Sequence, residues 1–164
     1  MPELLDPELD LILEGTSRSF YLTLKALPSG IRPQVGLLYL LARTSDTIAD
    51  SEGGPSDQRL QALEQFNERI QERSTTLPDL STLARLQSNP DEAKLLDSIT
   101  SSVDFIKRFP SVDQQRIQRC LDIIISGLTA FEPIIEFVLA HHLVVRSIAL
   151  QIVINGIFVI GITH

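Results

Sequence analysis

Val35-Gly36-Leu37-Leu38-Tyr39-Leu40-Leu41-Ala42-Arg43-Thr44-Ser45-Asp46-Thr47-Ile48-Ala49-Asp50 is the stretch whose reading decides this chain. Leu37, Leu38, Leu40, Leu41, Ala42, Ile48 and Ala49 leave almost no side of a helix polar, the mark of a helix buried in a core. One line of residues breaks the pattern. Tyr39, Arg43, Asp46 and Asp50 follow one another at steps of four, three and four residues, so their side chains stack along one face over about three turns. Charges taken out of water cost on the order of several kcal/mol each unless paired or hydrated, so this stripe is expected to face a polar cavity.

Asp46 and Asp50 stand one turn apart, where two carboxylates can share a hard divalent cation through oxygen. Mg2+ is the natural candidate, because it keeps several waters and commonly bridges one or two carboxylates to substrate phosphates. The same four residues admit a plainer reading, a solvated helix face or an Arg43 to Asp46 ion pair. What favours chemistry is the apolar helix that carries them and a second motif upstream. There, Ser17-Arg18-Ser19-Phe20-Tyr21 lies at the start of a helix expected from about Thr16 to Leu27, with hydroxyls and a guanidinium suited to phosphate oxygens. An ordinary capped helix start would use the same residues.

Outward from these motifs, nearly every segment has helical spacing. Pro28-Ser29-Gly30 ends the first helix, Pro33 is tolerated in the first turn of the second, and that helix runs to about Asp50. Glu52-Gly53-Gly54-Pro55 is a loop, after which Ser56 as N-cap and Asp57 in the first turn open a helix with Leu60, Leu63, Phe66 and Ile70 on one side. Asn89-Pro90-Asp91-Glu92 combines a cap, an N1 proline and two first-turn acids, and predicts a helix ending before Pro110. Ser111-Val112-Asp113-Gln114 has capping-box spacing ahead of Ile117, Cys120, Leu121, Ile124, Ile125 and Leu128. Short loops between such helices give an all-α bundle.

Composition sets outer bounds. The 164 residues fit one domain, and 43% apolar residues suffice for a continuous core. A formal charge of -7, from 21 acidic residues against 14 Lys and Arg, argues against general affinity for nucleic acid or anionic lipid. An anionic substrate would need bridging cations or a local basic pocket. Cys120 is the single cysteine and reads as core, so neither an internal disulfide nor a cysteine-based zinc site can form. Met1 to Gly15 opens with acidic residues and lacks the basic stretch and apolar run of a secretory signal, which places the protein in the cytoplasm as an expectation.

Taken in order and spacing, Ser17-Arg18-Ser19-Phe20, Leu27-Pro28 and Tyr39-x-x-x-Arg43-x-x-Asp46-x-x-x-Asp50 resemble the opening of the squalene and phytoene synthase family. The resemblance implies the isoprenoid-synthase-type helical bundle and a Mg2+-dependent head-to-head condensation of two prenyl diphosphates. It implies that Asp46 and Asp50 are metal ligands, that Ser17, Arg18 and Ser19 contact diphosphate, and that Phe20 lines the prenyl pocket. Tyr39 and Arg43 would line the same cavity as catalytic residues. Leu40-Leu41-Ala42-Arg43-Thr44-Ser45-Asp46 looks closer to bacterial squalene synthase-like proteins than to phytoene synthases, implying farnesyl diphosphate as donor and NADPH as reductant in the intact enzyme.

The resemblance weakens to Leu121-Asp122-Ile123-Ile124-Ile125-Ser126-Gly127 and stops there. The domain is thus read as 1–130, truncated after about residue 130, followed by an unmatched apolar tail, 131–164. The family's second aspartate-rich motif and its Tyr-x-x-Val-Ala-Gly-like segment are absent, so the chain as given is expected to be inactive. Ser147 to His164 carries no charged residue and barely reaches the length of a bilayer crossing, with Gln151 and Asn155 interrupting it. We read the tail as the product of a reading-frame shift; a core segment and a membrane attachment are the alternatives. His141 and His142 point about 100 degrees apart on a helix and receive no metal role. The reading from another class is a non-catalytic helical interaction or membrane-attached module using this tail. Translation of the other two frames downstream of Gly127 is expected to reveal the second aspartate-rich motif; its absence from both would favour the membrane-attached module.

Overall fold

Asp6-Pro7 and Asn89-Pro90 begin two helices by one device, an acceptor side chain at the N-cap and a proline in the first turn, where no N–H is needed. In the computed structural model, which describes residues 5–51 and 55–139 and only the backbone of 131–139, Asp6 Oδ1 accepts from the Leu9 amide at 3.1 Å. Asn89 Oδ1 accepts from the Asp91 amide at 3.0 Å. The first of these helices, α1 (Pro7–Ser17), puts Leu9 and Leu13 fully into the core. It is followed by α2 (Ser19–Ala26), α3 (Arg32–Asp50), α4 (Ser56–Ile70), α5 (Ser81–Leu86), α6 (Pro90–Asp97), α7 (Ile99–Phe105), a short 3-10 turn (Ile106–Arg108) and α8 (Ser111–Leu139). The described residues contain no strand, and the fold class is all-α as expected.

The chain divides into two units, Met1–Thr129 and Ala130–His164, and the packing described here belongs to the first. Its centre is α3, which packs against α1, α2, α4, α6 and α7. Leu37, Leu40, Leu41 and Ile48 have no exposed surface, and Thr44 and Ser45 are buried with them. Those hydroxyls make no demand on neighbours, because Thr44 Oγ1 donates to the Leu40 carbonyl at 2.9 Å and Ser45 Oγ to the Ala42 carbonyl at 2.7 Å. Leu63, Phe66 and Ile70 of α4 are buried as the apolar spacing requires, while Leu60 is half-buried.

Five local expectations change. The helix expected from Thr16 to Leu27 is broken at Arg18, whose φ of 46° and ψ of -112° are not helical. The helix expected from Pro90 to Pro110 bends at Ser98, whose hydroxyl donates to the Leu95 carbonyl at 2.8 Å. Ser56 is the first helical residue of α4 and Pro55 the N-cap, so Asp57 supplies the first-turn charge without a serine cap. No capping box forms at Ser111, because the Gln114 amide donates to the Pro110 carbonyl and its side chain reaches the Phe109 carbonyl at 2.7 Å. Cys120 is half-buried rather than core; burial pushes its thiol pKa up, opposed by Arg119. The Glu52-Gly53-Gly54 loop and residues 140–164, with His141 and His142, lie outside the described residues. So do all readings of the tail's side chains.

Two substitutions test this account by urea unfolding. Leu40→Ala should lower stability by about 2–5 kcal/mol through loss of buried surface and a cavity beside α3. Asn89→Ala should cost about 1 kcal/mol through loss of the α6 cap.

Candidate functional site

Because α3 is enclosed by other helices, its polar stripe is the part of the core that requires explanation. Tyr39 is half-buried and stacks on Phe20 of α2, with ring centroids 4.9 Å apart and planes inclined by 28°. This contact joins the two sequence motifs. Burial pushes the Tyr39 phenol above its ordinary range; the Arg43 guanidinium opposes that shift and the Asp46 carboxylate adds to it.

Arg43 lies between two carboxylates. Its Nη1 donates to Asp46 Oδ2 at 3.2 Å and its Nη2 to Glu92 Oε1, on α6, at 2.6 Å. Its Nε is buried with no acceptor among the described residues. Asp46 is 9% exposed, whereas Asp50, at the last residue of α3, is exposed. Below them the helix end is held by Ser51, whose hydroxyl donates to the Thr47 carbonyl at 2.7 Å and accepts from Gln87 Nε2 at 2.9 Å. Thr47 Oγ1 is buried with no hydrogen-bond partner among the described residues. The ion pair that the sequence allowed between Arg43 and Asp46 is therefore formed. Its extension to Glu92 was not legible: forty-nine residues separate Arg43 and Glu92, and the sequence marks Glu92 only as a first-turn acid.

The upstream motif is split. Ser17 ends α1, is buried, and donates its hydroxyl to the Leu13 carbonyl one turn back. Arg18 and Ser19 are exposed at the break, and Phe20 is half-buried. A φ of 46° at a residue other than glycine costs about 1–3 kcal/mol and persists only where surrounding contacts hold it. Those contacts include Tyr21 Oη donating to Asp10 Oδ2 at 2.8 Å, a buried bond that ties α2 to α1 across the break.

Two cavities open elsewhere. One of about 390 Å³ lies between α1, α6 and α7, lined by Glu8, Ile12, Asp91, Lys94, Asp97 and Ser101. The other, of about 270 Å³, lies beside α4 and α5. No residue of the α3 stripe lines either one.

Among the described residues, no group of three or more His, Cys, Asp or Glu is placed to hold a metal ion. The carboxylates of Asp46 and Asp50 still fit magnesium in kind, being hard oxygen donors one turn apart, since that ion takes one or two carboxylates and completes its shell with water and phosphate oxygens. Asp46 Oδ2 also accepts from Arg43, so the guanidinium and a cation would share this carboxylate. Among the described residues no helix is long and apolar enough to cross a membrane.

Residues 13–121 match the squalene/phytoene synthase family, and the chain belongs to that family. The isoprenoid-synthase-type helical bundle expected from the motifs is thereby the fold of this chain's class. Squalene synthase of Schizosaccharomyces pombe is 42% identical over 60 residues, which are 37% of this chain and 13% of that protein. Squalene synthase of Solanum lycopersicum is 35% identical over 63 residues, 38% of this chain and 15% of that protein. Squalene synthase LSS of Botryococcus braunii is 32% identical over 66 residues, 40% of this chain and 14% of that protein. The chain thus spans about a seventh of the length of these relatives. No solved structure matches it.

The Tyr39 environment has a measurable consequence. The folded phenol holds its proton more tightly than the unfolded one, so its contribution to stability is complete below pH of about 10 and is lost as pH rises through the folded value. An alkaline absorbance titration should show a late phenolate transition that is missing from Tyr39→Phe.

Proposed function

We propose that residues 13–121 supply one wall of a prenyl-transfer site for the head-to-head condensation of two prenyl diphosphates. The squalene synthase-like reaction on farnesyl diphosphate comes first, and the phytoene synthase-like reaction on longer donors second. Support comes from the family match and from relatives named squalene synthase. The observation that carries the reading is the α3 stripe: a carboxylate pair and a guanidinium on the most enclosed helix, beside an aromatic pair that joins the two motifs.

In this reading Asp46 and Asp50 hold magnesium, which when bound neutralises diphosphate and stabilises it as a leaving group. Arg18 and Ser19, exposed at the helix break, donate to diphosphate oxygens, and Ser17 joins them only by giving up the Leu13 carbonyl. The C–O bond of the first donor breaks with its electron pair leaving on diphosphate. The resulting allylic cation is attacked by the second donor's double bond, and loss of one proton closes a cyclopropane ring. Phe20 and Tyr39 offer ring faces of negative potential beside the cation and exclude water from it. In the squalene synthase-like reaction NADPH would supply the hydride that reduces the carbon skeleton, and no residue of this chain is assigned to hold it.

These 164 residues carry the first aspartate pair without the second aspartate-rich motif, so binding without turnover is expected. Losing even one preorganised donor costs about a hundred- to thousandfold in rate, and a whole opposite wall costs more. Calorimetric titration with a non-hydrolysable farnesyl diphosphate analogue should show magnesium-dependent binding that Asp46→Asn or Asp50→Asn weakens. Equal affinity in all three proteins would reject the metal role. Incubation with labelled farnesyl and geranylgeranyl diphosphates, magnesium and NADPH should yield no hydrocarbon above a boiled control.

A further inference from the structure

Arg43 and a divalent cation draw on one carboxylate. Asp46 Oδ2 already accepts from Arg43 Nη1, so a cation bound to Asp46 sets two positive charges on the same group and repels the guanidinium. If Asp46 were its sole anionic partner, that repulsion would leave a part-buried positive charge without a counter-charge beside an incoming cation, which opposes binding. Glu92 changes this balance. Its Oε1 holds Arg43 Nη2 at 2.6 Å, the shorter of the two contacts, and its side chain is 23% exposed.

We infer that Glu92 is a positioning residue of the α3 carboxylate pair: it retains the Arg43 guanidinium on the α6 side and so releases Asp46 to a divalent cation. This inference rests on the proposed metal role of Asp46 and Asp50. The placement of Glu92 is rigid for reasons visible in the fold. It lies in the first turn of α6, where the helix dipole favours a carboxylate and where Asn89 and Pro90 fix the start of the helix. The adjacent Asp91 is pressed against α1 at Gly15, where an added Cβ would lie 2.9 Å from Asp91 Cγ. Arg43 thus has a second, preorganised partner, and it keeps an anionic partner at Nη2 when the guanidinium turns away from Asp46.

The test uses the 164-residue protein with inorganic diphosphate as probe, titrated with and without magnesium, after thermal melts establish that each variant is folded. Glu92→Gln should weaken magnesium-dependent binding by about tenfold, an ordinary size for coupling between neighbouring sites. Glu92→Asp separates positioning from a mere field effect. It keeps the charge but shortens the reach by one methylene, and it should lose most of the same affinity. Wild-type affinity in Glu92→Asp, or in Glu92→Gln, overturns the inference. A metal-free arm stands by itself: double-mutant cycles on unfolding, with Arg43→Gln, should give stronger coupling of Arg43 to Glu92 than to Asp46→Asn. The reverse order overturns the positioning role even if wild-type protein binds no magnesium diphosphate, an outcome that would separately remove the metal reading of Asp46 and Asp50.

Discussion

One guanidinium shared between two helices makes the buried position of α3 tenable. A helix enclosed by five others cannot carry Arg43 and Asp46 into the core without compensation, since their desolvation alone would oppose folding. Pairing with Asp46 along the helix supplies part of it, and pairing with Glu92 supplies the rest by crossing to α6. The second contact therefore fixes how α6 sits on α3. Buried ion pairs are commonly no more stabilising than apolar residues of the same volume, so leucines at these positions would hold the bundle together as well. Stability by itself therefore does not account for the charges on this face.

A different constraint operates at Arg18. Continuing α1 through this residue would have made one straight helix and buried or exposed Ser17, Arg18 and Ser19 according to helical phase. The break instead separates them, leaving Ser17 back-bonded to Leu13 and turning Arg18 and Ser19 to solvent. The strained φ is sustained by ties on both sides, with the Arg18 amide donating to the Glu14 carbonyl and the Tyr21 amide donating to the Arg18 carbonyl. Tyr21 adds its buried bond to Asp10 and a ring face under Lys25, whose Nζ lies 4.3 Å from the centroid. The stack of Phe20 on Tyr39 carries this geometry to α3.

Local signals were legible and tertiary ones were not. The apolar surround of Tyr39, Arg43, Asp46 and Asp50 announced α3, and Asn89-Pro90 announced α6, because caps, prolines and helical spacing act within a few residues. The bend at Ser98 was hidden, since a serine inside a helical pattern breaks it only when its hydroxyl competes for a carbonyl, as at Leu95. The six-residue α5 (Ser81–Leu86) is too short to display a periodicity. The expectation that the stripe faces a polar cavity meets a more specific arrangement, in which Arg43 supplies the counter-charge to Asp46 and takes its own second partner from α6. Nothing in the local sequence distinguishes Glu92 from any other acid in a first turn.

The charges brought together here also decide how an anion can approach. Arg43 contributes one positive charge, while Asp46, Asp50 and Glu92 contribute three negative ones, leaving the α3 face negative by two on a chain already at -7. A diphosphate arriving alone would be repelled by that face. Of the two motifs, the upstream one offers it direct contact, where Arg18 stands exposed at the helix break. For a single diphosphate to engage both motifs, cations must arrive with it and settle on the carboxylates, and the guanidinium already among them must have somewhere else to place its charge. Under the proposed function, the exposed arginine, the carboxylate pair and the second acidic partner of Arg43 would answer one electrostatic problem, how a negative surface can accept a negative ligand.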